Sequence, residues 1–333
     1  TNKAGGNATE NQVTIAGGEI QGTLYGGHLA DAAATGNATG NTVTITGGKM
    51  KDVYGGYTAN VAAGKTTGNT VTLGDGTHAL ATGTKIDGTL YGGSRTGVGQ
   101  DEDNLLHVKA NAEAKNIKNF AKLKFDLNDS VDKNRAMLRL TGGAATTELD
   151  WGQVDVDLTK ATGKSTKSYE AYEQKILENQ SDLNFTRNGV DTYVKYGIRE
   201  DTKGDFEYVI DTDTHNALAK RVSIFGYQFQ NNQTATYKAT DNSHPEAWGG
   251  RSVVGHTVKD NALTVSGGTL TKAAYGGLVE NHKIDPVTHQ PVATGSAEKN
   301  TLTIEGGTVK DAYGAEVRTK EGSASKNTVN LNG

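Results

Sequence analysis

Short runs of alternating polar and apolar residues recur along the chain. In Asn11-Gln12-Val13-Thr14-Ile15 the asparagine, valine and isoleucine fall on one face of an extended strand, and Gln12 and Thr14 on the other. The same phrase returns as Asn41-Thr42-Val43-Thr44-Ile45 and Asn69-Thr70-Val71-Thr72-Leu73. Later copies are Asn261-Ala262-Leu263-Thr264-Val265, Asn300-Thr301-Leu302-Thr303-Ile304 and Asn327-Thr328-Val329-Asn330-Leu331. Burying the aliphatic pair places the asparagine on the inner side, at a corner. Identical amides stacked there can bond one another, because each both donates and accepts. Asn11, Asn41, Asn69, Asn104, Asn261, Asn300 and Asn327 are therefore expected to form structural ladders.

A second phrase follows the first, with a hydrophobic residue, a tyrosine and glycine. Its copies are Leu24-Tyr25-Gly26-Gly27, Val53-Tyr54-Gly55-Gly56, Leu90-Tyr91-Gly92-Gly93, Ala274-Tyr275-Gly276-Gly277 and Ala312-Tyr313-Gly314-Ala315. The stretch linking the two phrases differs by one residue between the first two copies. A continuous strand would invert its faces across that slip, so a corner is expected there, at the Gly or Asp found between Ile20 and Leu24 or at Asp52. The paired glycines are expected to supply positive φ. With the aliphatic residues inward, Tyr25, Tyr54, Tyr91, Tyr275 and Tyr313 face outward in a column. That column either stacks neighbouring repeats together or offers a platform for sugars.

Self-similarity at this period means one structural unit stacked on itself. Successive asparagines lie 30, 28 and 39 residues apart at Asn11–Asn41, Asn41–Asn69 and Asn261–Asn300. Constant strands with variable surface loops absorb that unevenness at little entropic cost. The expected fold class is all-β, a right-handed parallel β-solenoid (β-helix) with a small inserted α+β subdomain. The expected segments are N-terminal solenoid over 1–103, variant solenoid over 104–163, the insertion over 164–246 and C-terminal solenoid over 247–333.

The insertion is placed where the tyrosine phrase lapses, between Gly93 and Tyr275. Residues 168–179 carry Tyr169, Tyr172, Ile176 and Leu177 on one helical stripe, which predicts a helix. Asn188-Gly189 then signals a hairpin, and alternating runs follow at 206–210 and 222–229. Aromatic residues gather here. Most are expected in the insertion's own core, and Tyr227, Phe229 and Tyr237 are the candidate binding residues, since exposed aromatics on a protrusion favour glycan or protein contacts.

Composition agrees with a thin interior. Hydrophobic residues make up only 34% of 333, and glycines number 44, less greasy than a compact globule of this length. The formal charge of -4, with no basic cluster, argues against nucleic acid as a partner. The absence of cysteine removes disulfides, thiolate metal sites and cysteine nucleophiles, and suits passage through an oxidising compartment. No apolar run reaches the roughly 18 residues that span a bilayer. No signal peptide is visible at Thr1, and neither end carries a cap, so both edges could pair with further strands.

The combination of Asn-x-Val-Thr-Ile-x-Gly-Gly with Val-Tyr-Gly-Gly resembles the repeats in passenger domains of Gram-negative autotransporter (type V secretion) adhesins. Asn104-Leu105-Leu106-His107-Val108 and the runs at 115–120 and 123–127 resemble a longer variant coil of such passengers. The resemblance covers residues 1–160 and 247–333. It implies export through an outer-membrane β-barrel, absent here and the only membrane attachment, and a place at the bacterial outer-membrane surface or outside the cell. It implies adhesion to a host-cell protein or glycan, or to another bacterium. A self-associating structural protein of filaments, aggregates or biofilm is the alternative, with copies of itself as partner. A β-helix polysaccharide-degrading enzyme is the second.

Chemistry weighs against the enzyme. Asp52, Asp87 and Asp311 recur at corresponding corners, which is turn chemistry, since a catalytic site is made once. Asp211-Thr212-Asp213-Thr214-His215-Asn216 lacks the sixth-position glycine and closing glutamate of a calcium loop. The eight histidines show no metal-ligand spacing, and no nucleophile elbow or phosphate loop is present. No catalytic residue, metal or cofactor is expected.

Overall fold

The computed structural model describes residues 5–60, 62–94, 102–128, 130–142, 149–158, 171–186, 194–199, 206–214, 217–228, 231–241, 244–281 and 294–332. Among them the chain is all-β, with one short 3-10 turn at Trp151–Gln153 and no α-helix. It divides into two compact units. The first takes Thr1–Thr162, Gln174–Tyr193 and Asp211–Ser223; the second takes Gly163–Glu173, Val194–Ile210 and Ile224–Gly333. Residues 164–246 are thus shared between the units.

In the first unit the recurring phrases pair with one another in parallel and in register. Val13, Val43, Val71, Leu106, Leu123 and Val154 are successive partners across neighbouring strands. Ile15, Ile45, Leu73, Val108, Phe125 and Val156 form the adjacent column. From Val43 and Ile45 onward all are buried. Burying such side chains stabilises by about 1.5–3 kcal/mol each, which outweighs the small slope of strand propensity. A second stack pairs Leu24, Val53, Leu90 and Ile117, and a third pairs Ile20, Met50, Ile86, Ala114 and Leu140.

The second unit repeats the scheme. Ala235, Leu263, Leu302 and Val329 are successive parallel partners, as are Tyr237, Val265, Ile304 and Leu331. The repeat therefore resumes at Gln233-Thr234-Ala235-Thr236-Tyr237, upstream of the expected 247. Its second phrase is Ala247-Trp248-Gly249-Gly250, with Trp248 opposite Tyr275 and Gly250 opposite Gly277.

The helix expected over 168–179 does not form: Ala171–Thr186 is a strand. Gln174 and Ile176 are buried, then Leu177 and Asn179, then Leu183 and Phe185. The period-2 pattern slips by one residue at Ile176-Leu177, and that slip imitates a helical stripe. Pairing of Leu177 with Leu138 decides the outcome. The Asn188-Gly189 hairpin lies outside the described residues. The alternating run at 206–210 falls in strand Phe206–Thr212, and the part of the 222–229 run up to Gln228 falls in strand Leu218–Gln228.

Each corner has a fixed device. The residue before every anchor asparagine adopts positive φ: Glu10, Gly40, Gly68, Asp103, Asp260, Lys299 and Lys326, and Asn232 before Gln233. In the Gly-Gly that closes the first phrase, Gly18, Gly48, Gly268 and Gly307 also have positive φ. The glycines of the Tyr-Gly-Gly phrase do not, and correct the expectation. They are required by crowding instead. A β-carbon on Gly26 would lie 2.4 Å from the Gly55 carbonyl oxygen, and one on Gly55 would lie 2.6 Å from that of Gly92.

Candidate functional site

The asparagine ladder is continuous in each unit. Asn11 Nδ2 donates to Asn41 Oδ1 at 2.7 Å, Asn41 to Asn69 at 2.9 Å and Asn69 to Asn104 at 3.2 Å. In the second unit Asn261 donates to Asn300 at 3.1 Å and Asn300 to Asn327 at 3.0 Å. Each acceptor oxygen also receives the main-chain N–H of the preceding member, as at Asn41 to Asn69 (3.0 Å). The second amide hydrogen goes to a carbonyl, that of Ala8 for Asn41, Ala38 for Asn69 and Val258 for Asn300. Asn41, Asn69, Asn104, Asn261 and Asn300 are buried, and their capacity is spent on the scaffold.

The tyrosines form the expected columns. Tyr25 and Tyr54 stack with centroids 5.6 Å apart and planes 17° from parallel; Tyr54 and Tyr91 do so at 4.2 Å and 2°. Tyr275 and Tyr313 stack at 5.3 Å and 12°. His28 covers the Tyr25 ring at 4.1 Å, and Tyr57 packs edge-on against Tyr25 and Tyr54. At these separations the facing sides of the rings are occupied by one another, so a sugar meets ring edges, hydroxyls and the outer face of an exposed end ring such as Tyr313. Burial, and then the neighbouring phenol of Tyr91, push the Tyr54 hydroxyl well above the usual tyrosine range.

The second unit adds a charged cover to its column. Arg251 lies 4.5 Å over the Trp248 ring and donates to Glu280 Oε2 through Nε at 3.0 Å. Arg318 Nη1 reaches Glu280 Oε1 at 2.7 Å. Its Nη2 reaches the Tyr275 hydroxyl at 2.8 Å and Glu316 at 2.9 Å. Burial opposes ionisation of Glu280, but Arg251 and Arg318 more than offset it and hold the carboxyl below the usual range. Tyr275 is 2% exposed beneath this cover, whereas Tyr313 is 37% exposed. Charges paired this fully leave no group poised for an outside anion or cation.

Two further clusters contain titratable groups. Glu207, wholly buried, accepts from Ser252 Oγ at 3.1 Å and Val253 N at 2.7 Å, and its Oε1 lies 2.6 Å from His256 Nδ1. The serine proton faces the carboxylate instead of an imidazole, and its oxygen receives the His256 main-chain N–H at 2.8 Å. That is an anchoring pattern, opposite in sense to an activated nucleophile. In the first unit His107 Nε2 lies 2.8 Å from Asp126 Oδ2, too poorly aligned for a hydrogen bond, beside Lys124. Burial lowers the His107 pKa despite the carboxylate.

Of the candidate binding residues, Tyr237 is a correction. It is completely buried, stands in the column of Val265 and Ile304, and donates its hydroxyl proton to the Thr269 carbonyl at 3.2 Å. The Tyr227 side chain and Phe229 lie outside the described residues. Of the recurring aspartates, Asp52 stands at a corner, and its Oδ1 accepts the Thr89 N–H of the neighbouring repeat at 2.8 Å. Asp87 and Asp311 lie within strands Lys85–Gly93 and Thr301–Val317, which corrects the expectation of a shared corner. Asp213 Oδ1 is likewise bonded to the Lys220 N–H at 3.1 Å, a strand-end turn. Among the described residues no group of three or more His, Asp or Glu could hold a metal ion. No protein family, no curated protein and no solved structure matches the chain.

Proposed function

We propose that the chain is a right-handed parallel β-solenoid from the passenger region of an autotransporter-type surface protein, acting outside the bacterial cell as a non-enzymatic adhesin. The observation that carries this reading is the in-register parallel pairing of the recurring phrases, with asparagine and tyrosine columns spent on neighbour-to-neighbour contacts. Such a stack is a stiff stalk rather than a reaction vessel. The corner geometry before each asparagine supports a chain that turns at fixed points and returns.

The contact element lies within residues 164–232, where the repeat lapses, and its partner is a host-cell protein, a glycan or another bacterium. Tyr227 and Phe229 are its candidate anchors; Tyr237 belongs to the stalk. A glycan and host-protein array, with the chain itself among the immobilised probes, tests the reading. A host ligand captured by the intact chain, and lost in a Tyr227→Ser/Phe229→Ser variant that keeps its melting transition, is the expected result. Capture of the chain alone favours a self-associating structural protein, and product release from a polysaccharide panel would overturn the non-enzymatic reading.

A further inference from the structure

Tyr54 and Tyr91 are register partners on adjacent parallel strands, Val53–Thr58 and Lys85–Gly93. Their rings lie 4.2 Å apart and 2° from parallel, closer and flatter than Tyr25–Tyr54 or Tyr275–Tyr313. Both side chains are only half-buried, so their ring edges meet solvent. Among the described residues of this unit Tyr25 and Tyr57 are likewise half-buried, whereas the methionines and tryptophan are sheltered: Met50 is 2% exposed, and Met137 and Trp151 are fully buried. The chain contains no cysteine. A one-electron oxidant arriving at this face therefore meets the tyrosine column first.

We propose that Tyr54 and Tyr91 are a site of oxidative modification, coupling to each other as dityrosine when a peroxide and a haem peroxidase supply the oxidising power. Each phenol loses one electron and its hydroxyl proton to give a phenoxyl radical, whose spin extends to the ring carbons beside the oxygen. One carbon–carbon bond forms between those positions on the two rings. The hydrogen on each joined carbon then moves as a proton to the oxygen, restoring two phenols. The pair has lost two electrons and two protons, which reduce one hydrogen peroxide to two waters.

Register already holds the partners together, so coupling within the chain has the advantage of an intramolecular reaction over encounter between chains. Tyr25, stacked on the far face of Tyr54, can feed an initial radical toward the tighter pair. The product would join two neighbouring strands covalently in a protein that lacks any disulfide. This inference is independent of adhesion, because it rests on the column alone.

The test treats the intact chain, dilute, with hydrogen peroxide and a haem peroxidase, then maps its peptides by mass spectrometry. The expected product is a monomeric chain in which the peptides carrying Tyr54 and Tyr91 are joined, two hydrogens lighter than their sum, with dityrosine fluorescence. Tyr91→Phe keeps a ring in the stack and should lose that joined species, while Tyr313→Phe should keep it. Oxidised wild-type chain without a Tyr54–Tyr91 peptide, or with dityrosine only between chains, would overturn the proposal, and the wild-type map decides this even where a variant fails to fold.

Discussion

Gly56 and Asn69 fit together as two halves of one joint: a β-carbon on Gly56 would lie 2.6 Å from Asn69 Nδ2 and 2.3 Å from the Ala38 carbonyl oxygen that the amide binds. The second glycine of the tyrosine phrase thus leaves room for the asparagine of the next strand phrase. Gly27 stands in the same relation to Asn41, Gly250 to Asn261 and Gly277 to Asn300. Neither recurring phrase is explained without the other.

A methyl at this joint should be costly. Gly56→Ala is expected to destabilise by about 1–3 kcal/mol, because backbone and a buried amide must shift to admit it. Gly17→Ala, with nothing within 4 Å of the added carbon and no positive φ, should stay within about 0.5 kcal/mol of the parent. Urea midpoints at unchanged m-value compare the two.

Truncating a middle member of the ladder should cost more than truncating an outer one. Asn69→Ala strips partners from the Asn41 amide, the Ala38 carbonyl and Asn104 Oδ1, all buried, at on the order of 3 kcal/mol. Asn11→Ala, at an exposed position, should cost less than about 1 kcal/mol. Equal losses in chemical denaturation would contradict the ladder account.

The positive-φ corners allow stabilisation. Lys299 holds φ 52° and Asp260 holds 56°, a conformation that costs residues with a β-carbon about 1–2 kcal/mol. Glycine removes that cost but loosens the unfolded chain, so Lys299→Gly should gain roughly 0.5–1 kcal/mol net. A lower melting temperature for this variant would show that its side chain does more than turn the corner.

Acid should loosen the second unit through Glu280. Its folded pKa lies below the unfolded value of 4.5, so its contribution is present above pH 4.5 and is lost as pH falls toward the folded value. Glu280→Gln should flatten that part of the stability–pH curve. The variant should also be less stable than the parent at neutral pH, where Arg251 and Arg318 lose their shared charge.

His107 should act in a milder window. Its pKa is lowered from 6.5 by burial, so the unfolded chain takes up the proton first and stability falls as pH drops below 6.5 toward the folded value. His107→Gln should remove this slope, read as melting temperature against pH. An unchanged slope would assign it to another group.

Much of the scaffold is legible in the sequence because its parts recur with their period intact. The alternation of Val43 and Ile45 fixes the buried face, and the repeated asparagine and tyrosine fix two columns. What recurs in altered letters is hidden. Gln233, Tyr237 and Trp248 occupy the places of asparagine, isoleucine and tyrosine, and only the Gly249-Gly250 pair and the Thr234-Ala235-Thr236 alternation mark that copy. The corner before each asparagine is hidden in the same way, since Gly, Asp, Glu and Lys all serve there. Strand Ala171–Thr186 is illegible for another reason: its phase slip copies helical periodicity, and only pairing across the sheet resolves it.

The asparagine column also has a direction. In each bond between asparagines one amide hydrogen points toward the later copy and the accepting oxygen faces the earlier one. The dipoles add instead of cancelling, so each bond polarises the next. In the first unit the column closes at Asn104, whose amide donates to the Thr66 carbonyl at 2.8 Å and the Asn119 carbonyl at 3.2 Å. The buried amides thus make each stack a polar, one-way structure whose two directions are chemically distinguishable.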